Sequence, residues 1–148
     1  MRIDKYALKS ESSLTLFEFI SEGKKGAIRK RIEFQEANEN NLYNLAFGDI
    51  NTDTGAIDDL AVSENGDTEK VLATVVGALY AFFDRYPDAF VYATGSTSSR
   101  TRLYRMGITC FYEEMVSGFY IYGQVGKEFY KFEIGKNYSG FLAQRKFD

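Results

Sequence analysis

Residues 66–95 read GDTEKVLATVVGALYAFFDRYPDAFVYATG, and the hydrophobic period changes once within this stretch. Over 68–86 the apolar residues recur at helical spacing, which predicts an amphipathic helix with Asp67 or Thr68 as its N-cap. Pro87, the only proline of the chain, follows this helix and ends it. The run AFVYAT comes next and is almost entirely apolar, as is typical of a strand buried on both faces. A helix followed by a buried strand therefore forms the centre of the predicted fold.

Strand-like segments flank this centre on both sides. The predicted elements outside it are strands at 14–20, 27–35 and 41–50, a second helix at 98–114, and strands at 116–125 and 128–134. The tail at 138–148 shows neither the helical period nor the strand alternation, so it is left unassigned. The order β-β-β-α-β-α-β-β predicts a single α+β domain over residues 1–148, with two main helices on one face of a largely antiparallel sheet.

Composition limits the partners and the compartment. The 148 residues carry a formal net charge of -3, which argues against nucleic acid as a partner and leaves only a local basic patch for that role. Cys110 is the one cysteine, so no intramolecular disulfide can form, as expected in a reducing compartment. We find no signal segment and no apolar run approaching the ~20 residues of a membrane span. The sequence therefore predicts a cytoplasmic protein that does not enter a membrane.

Histidine is absent from the chain, and this excludes several kinds of catalytic site. It removes the Ser-His-Asp and Cys-His pairings, His-ligated zinc and the usual general base near neutral pH. Any catalysis would depend on carboxylates, Lys, Tyr, Arg or a metal held by oxygen ligands. Whether the protein is an enzyme stays open, and no cofactor is indicated.

The segment ATGSTSSRTRLYR at 93–105 predicts an anion-binding corner. It places a glycine and four hydroxyl residues between a strand and a helix N-terminus, where unpaired N–H groups and the helix dipole favour negative charge. Arginine adds a planar fork that suits phosphate or carboxylate. The candidate ligand-binding residues of this segment are Gly95, Ser96, Thr97, Ser99, Arg100, Arg102 and Arg105.

Helix geometry restricts how many of these arginines can meet one ligand. At about 100° per residue, Arg102 and Arg105 lie on neighbouring stripes, whereas Arg100 lies nearly opposite Arg102. The alternative is that a serine of the segment is only an N-cap and that the arginines pair with surface carboxylates such as Glu113.

Acidic residues form a second pattern in the turn-rich region that precedes the first helix. Converging carboxylates can hold a hard cation such as magnesium. The spacing does not match a calcium-binding loop, and Asp beside Gly or Asn is also typical of turns, so no metal site is predicted. If these carboxylates and the arginines faced one cleft with Lys70 nearby, a metal-dependent enzyme acting on a phosphorylated or nucleic-acid substrate would be the alternative function. The residues concerned are Asp49, Asp53, Asp58, Asp59 and Asp67.

The second predicted strand carries a basic run. Lys30 shares the apolar face with Ile32 and Phe34, whereas Arg29 and Arg31 point the other way. We interpret the run as a solvated strand face protected by charge against edge pairing. Contact with nucleic acid through phosphate pairing and stacking is the alternative.

Aromatic residues are unusually abundant, with 11 Tyr and 13 Phe. Their concentration in the strands at 119–122 and 129–132 indicates core packing and cross-strand pairs. An interface between copies of the chain is the alternative, which would make the protein a structural homo-oligomer.

Two motifs, GDTEKVLATVVGAL at 66–79 and GSTSSRTRLYRMGI at 95–108, resemble those of an uncharacterised family of short bacterial proteins with no assigned activity. The resemblance implies a shared fold over most of the chain. It also implies that both helix N-termini lie at one end of the sheet, with Asp67 and Lys70 near Arg100 or Arg102. The leading prediction is a binding module with a phosphate or other anionic-ligand site at 95–105. The positions that match the motifs are Asn65, Gly66, Asp67, Lys70, Gly95, Ser96, Thr97, Ser99, Arg100, Arg102, Tyr104 and Arg105.

Overall fold

The computed structural model describes residues 5–58, 65–95 and 97–146, and their nine strands join one sheet. The strands are β1 (Lys9–Ser10), β2 (Leu16–Gly23), β3 (Gly26–Glu36), β4 (Leu42–Ile50), β5 (Ile57–Asp58), β6 (Phe90–Ala93), β7 (Phe119–Val125), β8 (Glu128–Lys131) and β9 (Gly140–Arg145). The helices are α1 (Thr68–Arg85), α2 (Ser98–Cys110) and α3 (Tyr112–Gly118).

The sheet is mostly antiparallel, and the predicted α+β class and element order are confirmed. Its strand order is β1-β2-β3-β4-β6-β9-β7-β8, with β5 paired to β4 beside this path. Among the described strands, β4 and β6 form the one parallel pair, and α1 lies in the connection between them. This crossover joins the meander of β1 to β4 to a second group of strands, which lie side by side in the order β6, β9, β7 and β8.

One face of the sheet is buried beneath the helices. Buried and more exposed residues alternate along β2 and β3, so that one face of each strand contributes to the core. Phe82 of α1 is fully buried, and its ring stacks on Phe34 of β3 with centroids 4.2 Å apart. The opposite face of these strands carries charged side chains such as Glu18, Arg29 and Arg31, as the alternation of the sequence predicts, whereas Lys30 lies on the core face.

The helix predicted at 98–114 is two helices in the structure. Phe111 leaves helical geometry with φ -112° and ψ 28°, and its N–H donates to the Gly107 carbonyl to close α2. The side chain of Phe111 is buried in the core. Burial of this ring accompanies the change of direction into α3, and the sequence period does not reveal it. No helix among the described residues is long and apolar enough to cross a membrane.

The tail that the sequence left unassigned supplies a central strand. β9 lies between β6 and β7 and pairs antiparallel with both. Phe141 and Ala143 of β9 face the core, whereas Leu142 between them is half-buried. The segment has only six residues and ends in polar ones, so its alternation is too short to stand out in the sequence.

Candidate functional site

A cleft of about 380 Å³ opens between the sheet and the N-terminal ends of α1 and α2. We call it the helix-end cleft. Both helices therefore begin at the same end of the sheet, as the family resemblance implied. Its lining residues are Lys30 and Phe47 from the sheet, Asp67, Thr68 and Val71 from the start of α1, and Ser99, Arg100, Arg102, Leu103 and Met106 from α2.

Lys30 enters this cleft from the helix-covered face of β3. Only 6% of the residue is exposed, and its ammonium lies 5.8 Å from the centroid of the Phe47 ring. Asp49 is its register partner on β4, and the Lys30 Nζ donates to Asp49 Oδ1 at 2.5 Å. Burying a charged pair costs desolvation that the pairing offsets only partly, so stability alone does not account for a lysine at this position.

Arg100 is the second buried cation of the cleft, also with 6% exposed. Its guanidinium carbon lies 5.6 Å from the centroid of the same Phe47 ring. A side chain at Gly48 would place its Cβ 2.8 Å from Nη2 of Arg100, so the missing side chain leaves room for the guanidinium. The backbone N–H of Arg100 donates to Oγ1 of Thr97, which is the N-cap of α2.

The lining of the cleft contains two poorly solvated cationic groups, of which Lys30 is paired with Asp49. Lys30 and Arg100 both lie over Phe47, and Arg102 lines the cleft from the exposed side of α2. Charges near low-dielectric surroundings interact more strongly than charges in water. An anion in the cleft would therefore be attracted by several cations at once.

Asp67 is the one carboxylate among the described lining residues, and its side chain is held by hydroxyl groups. Tyr6 Oη and Ser21 Oγ both donate to Asp67 Oδ2 at 2.5 Å. Asp67 occupies the N-cap position of α1, but its side chain makes no capping hydrogen bond. Burial raises the pKa of Tyr6, and the hydrogen bond to Asp67 raises it further.

Asn65 and Gly66 hold the start of α1 against the turn between β2 and β3. The Asn65 side chain is buried, accepts from the Lys25 N–H at 2.6 Å and donates to Ser21 Oγ and the Gly26 carbonyl. Gly66 has φ +80°, a conformation that favours glycine. The Asn-Gly-Asp element of the motif therefore has a structural explanation that requires no ligand.

Lys70 lies beside Tyr6 in the first turn of α1. It does not line the helix-end cleft, and its ammonium lies 4.3 Å from the centroid of the Tyr6 ring. The expected approach of Lys70 to Arg100 or Arg102 stays a prediction. Lys30 provides the lysine of the cleft.

The other candidates of the 95–105 segment line a second cleft of about 580 Å³, which we call the hydroxyl cleft. Gly95 and Thr97 lie there with Arg105, which donates to Asn137 Oδ1. Ser99 and Arg102 line both clefts, and Ser96 lies outside the described residues. The predicted site is thus divided between two neighbouring hollows.

Sequence reasoning placed Lys30 on the apolar face of its strand but assigned it to a solvated basic run. The charge at an inward-facing position between Ile28 and Ile32 was the signal that could have separated Lys30 from its neighbours. Phe47 carried no comparable signal, because nothing in its strand distinguishes it from a core residue.

The remainder of the basic run is paired on the open face of the sheet. Arg29 and Arg31 both form ion pairs with Glu18, at 3.2 and 2.9 Å. Burial acts against ionisation of Glu18, but the hydrogen bonds from the two arginines outweigh it and lower its pKa. This arrangement agrees with a solvated strand face, but β3 pairs with β2 on one side and β4 on the other, so the expected protection of a sheet edge is wrong.

The acidic residues of the turn-rich region do not form a metal site in the described part of the chain. Asp49 and Asp58 are register partners on β4 and β5, and Asp49 also pairs with Lys30. Asp53 lies in a turn where its N–H donates to the Asn51 side chain, and Asp59 lies outside the described residues. Within residues 5–58, 65–95 and 97–146, no three carboxylate or cysteine side chains lie close enough to hold a metal ion.

Comparison with known proteins supports the resemblance seen in the two motifs. No curated protein and no solved structure matches the chain. A family of unknown function, DUF6934, matches residues 2–146 of the 148 residues. Because that match covers nearly the whole chain, the protein belongs to this family of unknown function.

Proposed function

We propose that the protein binds a small anionic ligand, with a phosphate or carboxylate group, in the helix-end cleft. The observation that carries this proposal is the presence of two cations, Lys30 and Arg100, each only 6% exposed, in the lining of one open cleft. Arg102 adds a third cation, and the two carboxylates nearby are Asp49, which pairs with Lys30, and Asp67, which accepts from Tyr6 and Ser21. We place this binding function in the cytoplasm, on the expectation drawn from the single cysteine.

Physical chemistry supports this function over a purely structural role. Buried cations are costly, and groups of them beside a cleft are typical of functional sites. Arginine and lysine differ in geometry, since a guanidinium carries its N–H donors in one plane and an ammonium is a compact point charge. Together they suit an oxyanion, whose oxygens accept from both.

The test is calorimetric titration of inorganic phosphate into wild-type protein and into Arg102→Gln, with chloride at equal ionic strength as the blank. Arg102 is exposed, so this variant is expected to fold. We expect the removal of one phosphate-facing cation to weaken binding about 10-fold or more, because charge-assisted hydrogen bonds contribute about 1.5–3 kcal/mol.

Arg85→Gln is the matched control, since Arg85 carries the same charge in the last turn of α1. Lys30→Met and Arg100→Gln extend the series, with circular dichroism to confirm that each variant is folded. Phosphate affinity equal in wild type, Arg102→Gln and Arg100→Gln would overturn the proposal.

A second candidate, association of copies of this chain, is favoured by the distribution of exposed apolar side chains. Among the described residues seven large hydrophobic side chains are exposed, and five of them lie between 120 and 134. They belong to the β7–β8 hairpin and its continuation: Tyr120, Val125, Phe129, Tyr130 and Ile134. β8 is also an edge strand, whose outer backbone groups can pair with another strand.

Light scattering across a concentration series tests this second candidate. Self-association through the hairpin predicts a mass above that of one chain, which Phe129→Glu lowers. Ile20→Glu is the control because Ile20 is equally exposed on β2. A single-chain mass at the highest concentration would rule association out.

A further inference from the structure

We infer that the anion bound in the helix-end cleft is organic, with an apolar group that lies against Val71, Leu103 and Met106. This inference rests on the proposed function and adds the chemical class of the ligand. Three features of the cleft carry it: its size, the chemistry of its walls and the exposure of one methionine.

The cleft is larger than a bare oxyanion requires. Its volume of about 380 Å³ lies in the range of roughly 300–1,000 Å³ that is usual for clefts holding organic ligands. A phosphate ion in contact with Lys30 and Arg100 would occupy only a small part of it. The rest of the space is available to the body of a larger molecule.

Apolar side chains from two helices line the part of the cleft that the cations leave. Leu103 and Met106 are three residues apart on α2, so they lie on one stripe of the helix, and Val71 comes from the first turn of α1. An inorganic ion gains nothing from such a surface. An apolar group beside the anionic head would gain from leaving water.

The exposure of Met106 is the strongest indication that a ligand covers the apolar wall of the cleft. It is 43% exposed and is the one large apolar residue of the described helices in that state. A flexible thioether side chain adapts to irregular apolar partners, aromatic rings included. A ligand covering Met106 would remove apolar surface from water at the mouth of the cleft.

Phe47 is not available for stacking with the apolar group of the ligand. Its ring is buried and already has the Lys30 ammonium and the Arg100 guanidinium over it. A ligand ring therefore has no aromatic face to stack on here. The apolar group packs on aliphatic and thioether side chains, and the anionic head lies toward Phe47 with the cations.

The test compares inorganic phosphate with phenyl phosphate by calorimetric titration. Wild-type protein should bind phenyl phosphate about 10-fold more tightly, because partial burial of a ring contributes on that order. Met106→Gln should reduce this ratio toward one, because it weakens phenyl phosphate more than phosphate. Val71→Thr, a change of similar size, should act in the same direction. Ile20→Gln, which alters an exposed apolar residue on the sheet face opposite to that of Lys30, should leave the ratio unchanged.

The outcomes separate the inference from the proposed function. Equal affinity for the two probes in wild type would overturn the inference and leave anion binding intact. Tighter binding of phenyl phosphate with an unchanged ratio in Met106→Gln and Val71→Thr would also overturn it, because the ring would then bind elsewhere. Failure of both probes to bind would overturn the proposed function and the inference with it.

Discussion

Asn65 joins three backbone and side-chain groups that have no regular secondary-structure partner at that point. Its amide accepts from the Lys25 N–H and donates to Ser21 Oγ and to the Gly26 carbonyl. Only 2% of the residue is exposed, so water does not readily replace these bonds. A single side chain thus connects the β2–β3 turn to the segment that starts α1.

We predict that Asn65→Ala lowers the free energy of unfolding by about 1–3 kcal/mol, the cost of leaving buried polar groups unsatisfied. Urea denaturation monitored by circular dichroism measures the change. Asn44→Ala removes an exposed amide from β4 and should stay within about 0.5 kcal/mol of wild type. Equal effects of the two substitutions would contradict the role given to Asn65.

Tyr6 gives a pH dependence whose sign follows from its surroundings. Burial and the hydrogen bond to Asp67 raise the pKa of Tyr6 above its usual 10.0. The folded state therefore favours the neutral phenol, and its contribution to stability is complete below pH 10.0 and lost as the pH rises through the folded-state pKa. Tyr43 and Tyr80, whose pKa values are also raised by burial, add to this alkaline loss.

We expect Tyr6→Phe to reduce the slope of unfolding free energy against pH above pH 10.0, because one titrating group is removed. Urea denaturation at a series of alkaline pH values provides the measurement. Tyr120→Phe, which alters an exposed phenol, should leave the slope as in wild type. A slope unchanged by Tyr6→Phe would show that the phenol at position 6 does not contribute.

The site residues could be predicted from the sequence only where the signal was local. The hydroxyl and arginine segment identified Arg100 and Arg102, because helix capping and cationic side chains are properties of neighbouring residues. The contacts of Asp67 with Tyr6 and Ser21 join residues 61 and 46 positions apart, so spacing could not reveal them. Lys30 lies on β3, far in sequence from the hydroxyl and arginine segment. Its position on the inward face of that strand was the only sequence feature that connected it with the cleft.

At the scale of elements, the start of α2 packs so closely on Gly95 that no side chain fits at this position. A Cβ at Gly95 would lie 2.3 Å from Cβ of Arg100 and 2.5 Å from the Thr101 backbone nitrogen. Gly95 N–H also donates to Thr101 Oγ1 at 3.0 Å. The strand end and the first turn of α2 are therefore in direct contact.

Gly95→Ala should lower the free energy of unfolding by about 1–3 kcal/mol, as overpacking usually does. Phosphate binding should weaken in the same protein, because the displaced turn carries Arg100. Thermal unfolding and calorimetry measure the two effects. Full retention of both stability and phosphate affinity would contradict this packing.

Gly77→Ala is the matched substitution in α1, and we predict the opposite sign. The new Cβ would meet only the flexible Lys5 side chain, at 3.4 Å or more. Alanine is favoured over glycine inside a helix by about 1 kcal/mol, so the midpoint of urea denaturation should rise. A destabilised Gly77→Ala would show that the helix is constrained there by contacts beyond Lys5.

Long elements with a clear period were predictable, and short ones were not. α1 was expected at 68–86 and spans Thr68–Arg85, because its apolar stripe runs over five turns. β9 has six residues and is fixed by pairing with β6 and β7 rather than by its own pattern. The break between α2 and α3 follows burial of Phe111, a tertiary effect that overrides the helical period.

At the scale of the whole molecule, β9 connects the two groups of strands. Its core side chain Phe141 packs with Phe132 and Tyr138, with ring centroids 6.0 Å away in each case. Phe141→Ala should cost about 3–5 kcal/mol, as is usual for a buried phenylalanine. Leu142→Ala, at the neighbouring half-buried position, should cost clearly less when both are measured by urea denaturation. Equal losses would mean that the two faces of β9 are equally buried.

The position of β9 also has a consequence for how the protein is made. Residues 140–145 leave the ribosome after every other strand of this sheet, yet they belong between β6 and β7. Until they emerge, β6 and β7 each have an open edge, and the strands from β1 to β6 cannot be joined to the β7–β8 hairpin. Unpaired edges are prone to join other chains, so a pause in translation after β8 and before β9 should favour aggregation of the nascent chain.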